Sequence, residues 1–517
     1  GVAGRRALAP GARAGWMRAG GVDWGAVACV RSVRLVWLRC VVGGRFRTRD
    51  RPPLFRPRRR GAAPGSLPWA PVTTLRDPVH GDIELTRDEL RLVDTLEFQR
   101  LRGIQQLGSA SLVFPGATHT RFEHSIGTLH LCDQLLAACE RHANRAPDAC
   151  HRPSGAERRL LRAAALLHDV THIPFGHNIE DQTGLLPRHD QPERFAQVLG
   201  DTELGAELHR QGLREDVLAI LTGSDRVPPF WRQICSDTID ADLLDYLRRD
   251  AHYTGLELRY DRRVVDYFRI DKQQQQLFVD CEKNGMLRED IVSELLRVLE
   301  CRYHFSERVY YHHAKIAAGA LLSRMVELAL RAGALDLPTL QAATDASLLE
   351  HLAHADLGDP ETTQRLRRFV QGYRRRALPK RVLVLPYYLN RDLQDELLAS
   401  YFAPGRHEAR RAFEAELEAA AQRRFGQAID VLLYCPKRRM QLKEAKTPVR
   451  FPGHGARTLP LDTFAADIPR LQDLAASYPR LWKLYVFTSL ADRRQRAELQ
   501  QMCLAALPKG CRNAFVL

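Results

Sequence analysis

Apolar residues recur at helical spacing through most of the chain, and the clearest case is 161–180. There Leu160, Leu161, Ala164, Leu167 and Val170 share one face, and Pro174 and Gly176 end the pattern. Upstream, Thr86 and Glu89 make a capping box for a helix predicted over 86–108, with Leu90, Val93, Leu96 and Leu101 as its apolar stripe. Before it, 75–85 reads as a turn at Pro78 and Gly81 between short extended pieces. A turn around Pro115 and Gly116 leads into a helix running to about residue 143, with Ile126, Leu129, Leu136 and Cys139 inside. Segments 189–199 and 213–223 are amphipathic, 236–255 carries Ile239, Leu243 and Leu247 on an apolar side, long helices fill 288–335, and 361–380 is helical and basic. Past Arg381 the period changes. Segments 381–387, 429–435, 438–445 and 483–489 are β-rich, with helices over 406–425 and 491–506. The pattern predicts a mainly α fold: a helical body over 72–380 and a smaller C-terminal α+β lobe over 381–517.

Charge changes this picture at one end only. The 517 residues carry a net charge of +15, and residues 1–70 hold about fifteen Arg and no Lys against Asp23 and Asp50. That segment has nearly the whole excess, so the basic balance is poor evidence that the folded body binds nucleic acid. Residues 1–70 are rich in Arg, Gly, Ala and Pro without a sustained period and are expected to be a disordered leader. A basic arm on nucleic acid, or a transit peptide, are the functional alternatives for it. No window offers the ~18 uninterrupted apolar residues of a membrane helix. The most apolar early stretch, 26–42, is cut by Arg31, Arg34 and Arg39. The eleven cysteines form no C-x-x-C pair. They argue against a structural zinc site and suit free thiols and a cytoplasmic location.

The chemistry concentrates where the 161–180 helix ends. His168 and Asp169 are adjacent, and neighbours on a helix diverge by about 100°. They can serve one ligand only where the backbone turns, and Pro174 and Gly176 supply that turn, with His172 and His177 pointing into the same space. Asp242, Tyr246 and Asp250 recur at i, i+4 and i+8 on one helical face. His124, His168, Asp169 and Asp242 together make a mixed nitrogen and oxygen donor set, which suits a divalent ion such as Mn²⁺, Fe²⁺, Mg²⁺ or Zn²⁺ with open positions. Such an ion polarises a phosphoryl oxygen and activates water, as phosphate ester or anhydride hydrolysis requires. His172, His177, His189 and Glu180 are then candidates for acid/base work beside it.

The order His, His-Asp, Asp is that of the HD-domain phosphohydrolases. The motifs FQRLRGIQQLG, VFPGATHTRFEHSIGT, LLHDVTHIPFGH and DADLLDYLRRDAH closely resemble the sterile-alpha-motif and HD-domain deoxynucleoside triphosphate triphosphohydrolases and their bacterial relatives. The likeness runs, thinning, from about Val72 to the C-terminus. The sterile-alpha-motif part has no counterpart, and the Arg-rich leader stands in its place. The resemblance implies metal ligation by His124, His168, Asp169 and Asp242. It puts His172, His177, Glu180 and His189 around an attacked α-phosphate, Glu180 standing where the animal enzyme has Asp. It implies substrate contacts from Gln106 and Leu107 beside a deoxyribose, Arg121 and Tyr246 near phosphates, Asp250 at the sugar, and Tyr311 stacking near the sugar edge. It further implies a guanine nucleotide activator bound between subunits by Asp94, Gln99 and Arg102, with Arg376, Lys380 and Lys446 on its phosphates. The assembly expected is a homo-oligomer, a dimer that becomes a tetramer.

Three phosphate cations of that family are missing. Leu243 and Ala314 stand where lysines are expected, and an expected arginine falls at or near Tyr303. A charge-assisted contact to phosphate contributes roughly 1.5–3 kcal/mol. Losing two or three weakens the grip on a triphosphate unless His304, Arg308, His312 or Lys315 substitutes. Three functions follow in order. The first is metal-dependent hydrolysis of a deoxynucleoside triphosphate to deoxynucleoside and tripolyphosphate. The second is an HD phosphohydrolase or phosphodiesterase acting on another nucleotide or oligonucleotide, which the missing cations favour. The third is a catalytically quiet nucleotide sensor or nucleic-acid-binding protein, against which the complete ligand set argues.

Overall fold

The computed structural model describes residues 71–183, 186–435 and 440–517. The chain divides into two units, Gly1–Pro64 and Gly65–Leu517, and the described residues belong to the second. The predicted leader lies outside them.

The first element is an antiparallel hairpin, Pro71–Asp77 with Gly81–Thr86, in which Leu75 faces Ile83. Ile83 and Leu85 alternate inward and are buried, as a strand with one core face requires. Thr86 and Glu89 form the expected capping box, but the helix they open does not run to Gly108. It spans Arg87–Val93, restarts at Leu96–Gln99 and tightens to a 3₁₀ turn over Arg100–Gly103. The break has a local cause. Thr95 turns its hydroxyl back to the Leu92 carbonyl at 2.7 Å, and Gln99 Nε2 donates to the Val93 carbonyl at 2.8 Å, satisfying acceptors that a continuing helix would use. Leu96, expected on the apolar stripe, is consequently exposed, and Leu92 takes a buried place.

Three helices build the centre of the body. Arg121–Arg145 begins where the Thr120 amide donates to Glu123 at 2.6 Å. Gly155–Leu167 is capped by Ser154 and Glu157, and buries Leu160, Leu161, Ala164 and Leu167. Ala241–Thr254 starts at Asp240, whose Oδ1 accepts from the Leu243 amide at 2.7 Å, and ends at left-handed Gly255. Their apolar faces enclose one large core that also takes in Leu295, Leu299 and Phe305 from the helix Glu289–Phe305. A five-residue π turn, Ser306–Tyr310, follows, and the next helix is His313–Arg331.

That last helix joins the body to the C-terminal segment. One side, with Leu321, Leu322 and Met325, packs with Ile173, Ile179 and the helix Pro360–Arg374. The other, with Ile316, Ala317 and Ala320, covers a three-stranded antiparallel sheet at Val384, Leu432, Tyr485 and Phe487. In that sheet Lys483–Thr488 is central, between Lys380–Pro386 and Val431–Tyr434. Leu484 and Val486 point to its opposite face, among Phe413, Leu417 and Leu499 from the helices His407–Phe425 and Arg493–Ala506. Two expected elements differ. The basic helix stops at Arg374, and Lys380 already pairs with Thr488. Of the segment predicted as a strand over 438–445, Lys443–Lys446 is a 3₁₀ turn. The C-terminal segment also returns to the body: Val449 pairs in parallel with Val279, extending a sheet that includes Phe268–Ile270.

Candidate metal centre and catalytic cavity

His124 projects from the second turn of Arg121–Arg145, His168 closes the end of Gly155–Leu167 with Asp169 beside it, and Asp242 stands in the first turn of Ala241–Thr254. The fold brings their donor atoms together. His124 Nε2 lies 3.1 Å from His168 Nε2, 3.7 Å from Asp169 Oδ2 and 2.9 Å from Asp242 Oδ1. His168 Nε2 is 3.6 Å from both Asp169 Oδ1 and Asp242 Oδ1. Each imidazole is oriented from its far side. His124 Nδ1 faces Asp245 Oδ2 at 2.7 Å, and His168 Nδ1 faces the Ala165 carbonyl at 2.8 Å. With Nδ1 donating, both rings offer the Nε2 lone pair to the same point.

The electrostatics fit a cation there. Burial opposes a charge on His124, yet Asp242 and Asp245 outweigh it and raise its pKa to about 10. His168 is also raised against its burial, by Asp169 and Asp242. Asp169 and Asp242 are both held below the usual carboxylate range despite burial, Asp169 chiefly by Arg121 and Asp242 by the two histidines. A site that pulls protons onto two imidazoles is strongly negative, and a divalent ion bound by the four groups neutralises it.

The turn after His168 is held from three directions. Phe175 and Gly176 are both left-handed, a conformation that costs a bulky side chain energy and that glycine adopts freely. Asp345 accepts the Phe175 amide at 2.9 Å. Arg100 Nη2 donates to the carbonyls of Val170 and His172 at 3.0 and 2.9 Å, and Arg194 Nη2 to that of Thr171 at 2.5 Å. So constrained, the turn presents a second cluster. His172 stacks on His189 with ring centroids 3.7 Å apart, and His177 meets both rings edge-on. Glu180 Oε2 accepts from His189 Nδ1 at 2.7 Å. Burial and the Arg121 charge push His172 down to about 3, so its ring is neutral. Glu180 is buried as well, but His189 holds its pKa down to about 2, so it remains a carboxylate.

Beside these groups lies a cavity of about 340 Å³. Asp169, Asp242, His172, His177 and His189 line it, as do Gln106, Leu107, Arg121, Tyr246, Asp250 and Tyr311. His124, His168 and Glu180 are buried next to those lining residues. Arg121 is not free for a phosphate alone, because Nη1 sits 2.5 Å from Asp169 Oδ2. Asp250 has both oxygens engaged: Oδ1 faces His119 Nε2 at 2.9 Å, and Oδ2 accepts from the Tyr310 hydroxyl at 2.5 Å.

Cations also reach the cavity: Lys315, one of the substitutes the sequence offered, Arg302, beside the expected arginine position, and Lys443, which the sequence did not single out. Arg302, one residue before the position where an arginine was sought, lines it with Lys315 and with Lys443 of the C-terminal segment. Ser306 and Tyr310 follow Arg302 at four-residue steps and line the same wall. Arg302 pairs with Glu444 at 2.6 Å and lies over the Tyr246 ring. Of the other proposed substitutes, Arg308 is exposed, and His312 caps the following helix through the Ala314 amide. Asp245, His119 and Tyr310 were likewise unforeseen. The signal for Asp245 was present: an acid beside Leu244, with Arg249 four residues on, is a buried ion pair in the making.

The residues expected at a regulatory site stand apart from this cavity. Asp94 ends the first helix and is exposed, while Arg102 bonds Gln99 at 2.8 Å and stacks over the Phe122 ring. Arg376, itself left-handed, donates to the Leu112 carbonyl at 2.7 Å. Lys380 begins a strand and Lys446 ends the 3₁₀ turn over Lys443–Lys446. Of the nine described cysteines eight are buried. Among the described residues no helix is long and apolar enough to cross a membrane.

Comparison with known proteins agrees with the geometry. An HD-domain model matches residues 121–250. Uncharacterized protein YwfO of Bacillus subtilis is 33% identical over 261 residues, 49% of this chain and 55% of the relative. Uncharacterized protein MJ1154 of Methanocaldococcus jannaschii is 28% identical over 292 residues, covering 54% and 55%. The mouse deoxynucleoside triphosphate triphosphohydrolase SAMHD1 is 31% identical over 282 residues, covering 47% and 42%. The chain thus spans about half the length of the relatives it matches. HD domains take a divalent metal ion, and the donor set found here suits one. Residues 121–250, which carry His124, His168, Asp169 and Asp242, are an HD domain, within a chain similar to the deoxynucleoside triphosphate triphosphohydrolases.

Proposed function

We propose that this chain is a metal-dependent HD phosphohydrolase that converts deoxynucleoside triphosphates to deoxynucleoside and tripolyphosphate. The observation that carries the reading is the gathering of His124, His168, Asp169 and Asp242 beside a cavity that also holds three histidines and the cations Arg302, Lys315 and Lys443. An ion held by the four ligands supplies Lewis-acid polarisation of a phosphoryl oxygen and lowers the pKa of water. The chain's residues do the rest. Arg302, Lys315 and Lys443 bind the phosphates, in place of the lysines whose positions hold Leu243 and Ala314. Glu180, kept ionised, orients His189 through Nδ1, which leaves Nε2 to carry a proton within the cavity. Water adds to the α-phosphorus, the bond to the 5′ oxygen breaks, and that oxygen takes a proton from the histidine cluster. Tyr311 offers its ring to the sugar edge, Tyr246 stands with Arg302 near the phosphates, and Asp250, fixed by His119 and Tyr310, accepts from a sugar hydroxyl.

A second reading, hydrolysis of a nucleotide with fewer phosphates or of a phosphodiester, is favoured by the acidity of the same cavity. Glu444 lines it too and already neutralises Arg302. Incubation of the metal-supplemented protein with a panel of dNTPs, NTPs and phosphodiesters, with products separated by ion exchange, decides between them. Tripolyphosphate from dNTPs is the expected result, and release of other phosphates only, from other substrates, selects the second reading.

A further inference from the structure

Asp245 has no solvent exposure, and its two oxygens have four contacts from three residues. His124 Nδ1 and Arg249 Nε face Oδ2 at 2.7 and 2.8 Å, and Arg249 Nη2 and His80 Nε2 face Oδ1 at 2.9 and 2.7 Å. His80 belongs to the turn of the N-terminal hairpin, 165 residues away in sequence, and its side chain is 5% exposed. That turn is fixed. Asp77 Oδ1 accepts from the backbone amides of Val79 and His80 at 2.9 and 2.8 Å, and Asp77 Oδ2 accepts Arg249 Nη1 at 2.8 Å.

Space has been left for the contact. Gly127 lies one turn beyond His124 on the same helix, and a Cβ there would come within 2.0 Å of Asp245 Oδ1 and 2.3 Å of Arg249 Nη2. The helix that carries the metal-ligating histidine therefore admits the carboxylate only because this position has no side chain.

We propose that His80 is a positioning residue for the metal centre. The hairpin tip holds Asp245, Asp245 holds Nδ1 of His124, and His124 Nε2 is thereby aimed at the ion. Arg249 grips both carboxylate oxygens from one side. Without a second donor on Oδ1 the carboxylate tilts toward Arg249 and its bond to His124 lengthens. Partners of this kind fix a ligand's tautomer and ring angle, and removing one typically lowers metal affinity about 10–100-fold. The bland alternative is that His80 only packs the hairpin against His130, whose ring centroid is 5.1 Å away. By linkage, a hairpin that tightens the ion is itself held more firmly when the ion is bound.

Cobalt(II) is the probe. The full chain and its His80→Ala and His80→Gln variants are titrated with cobalt, following the visible absorption and fixing the dissociation constant by chelator competition, well below the melting temperature of each. The glutamine can donate from a comparable reach. The expected result is about tenfold weaker binding and an altered spectrum in H80A, with H80Q close to wild type. Unchanged affinity and spectrum in H80A overturn the proposal, as do equal losses in both variants, which assign the effect to packing on His130. A wild type that takes up no cobalt overturns the metal-centre reading and this inference with it. Cobalt binding without nucleotide hydrolysis overturns only the proposed activity.

Discussion

Arg302 and Glu444 meet at 2.6 Å at the cavity wall, one from the helix Glu289–Phe305 and the other from the C-terminal segment. Burial works against the guanidinium, but Glu444 more than compensates and keeps it charged. The pair holds Arg302 beside Tyr246, where a bound phosphate competes with the carboxylate for it.

Arg302→Ala is therefore expected to weaken binding of inorganic tripolyphosphate, with the metal content unchanged. Charge-assisted contacts of this type contribute roughly 1.5–3 kcal/mol, which is about tenfold or more in affinity. Lys315→Ala is expected to act in the same direction. Isothermal titration checks both, and wild-type affinity in both variants removes these residues from the phosphate site.

Replacing His168 and Asp169 together by Ala removes two of the four donors while leaving the apolar face of Gly155–Leu167 intact. Turnover should vanish and bound metal fall to background, with the far-UV circular dichroism nearly unchanged. Full activity in that variant, or in stringently demetallated wild type, rules out the proposed centre.

Glu180 ties acid stability to the histidine cluster. Its folded pKa of about 2 is below its ordinary value of 4.5. A depressed carboxylate contributes stability above its unfolded pKa, and that contribution is lost as pH falls from about 4.5 toward 2. At 1.36 kcal/mol per pKa unit the contribution is on the order of 3 kcal/mol. Glu180→Gln should melt lower than wild type at pH 7, and the gap should narrow as the pH is lowered through 4.5. A gap that stays constant from pH 7 to pH 3.5 means that the charge on Glu180 does not matter to folding.

Gly127→Ala is unusual among helical glycine substitutions. Helix propensity alone favours alanine by about 1 kcal/mol. The added methyl would instead run into Asp245 and Arg249, both buried, and overpacking costs about 1–3 kcal/mol. A lower melting temperature and weaker metal retention are expected. A more stable variant with full metal content means that the carboxylate has room to move.

The sequence made some of this legible and hid the rest for physical reasons. Periodicity found the helices that carry His124, His168 and Asp242, because long apolar faces are a local signal. It missed the break at Thr95, where one hydroxyl and one amide side chain return to backbone carbonyls. Asp245, His80 and His119 escaped notice because a buried polar residue is explained by its partner. Those partners lie 121, 165 and 131 residues away. The expected arginine falls at or near Tyr303 by motif, and since a one-residue offset turns a side chain by about 100°, only the helical face decides that Arg302 is the one in the cavity. Ser306 and Tyr310, at four-residue steps from Arg302, were the available clue. Lys443 had none, since only the chain's return to the body carries it to the cavity.

Nucleotide is expected to drive assembly. A guanine edge offers N–H donors and the O6 acceptor, which the Asp94 carboxylate and the Arg102 guanidinium complement. Asp94 is exposed at the end of its helix, and Arg102 is held in place by Gln99 and the Phe122 ring rather than swinging freely. A preset guanidinium loses less freedom when it binds. Arg376, in a left-handed conformation and tied to the Leu112 carbonyl, is similarly fixed. If Arg376, Lys380 and Lys446 of one subunit meet the phosphates of a nucleotide whose base sits on Asp94 and Arg102 of another, nucleotide stabilises the assembly, and assembly in turn tightens the nucleotide. Light scattering with and without GTP or dGTP should show a dimer becoming a tetramer, with activity rising in step. Asp94→Ala and Arg102→Ala should abolish both changes and leave the metal content intact. Equal mass and activity in wild type and variants, with and without nucleotide, would mean that this chain keeps the hydrolytic centre and lacks the regulatory one.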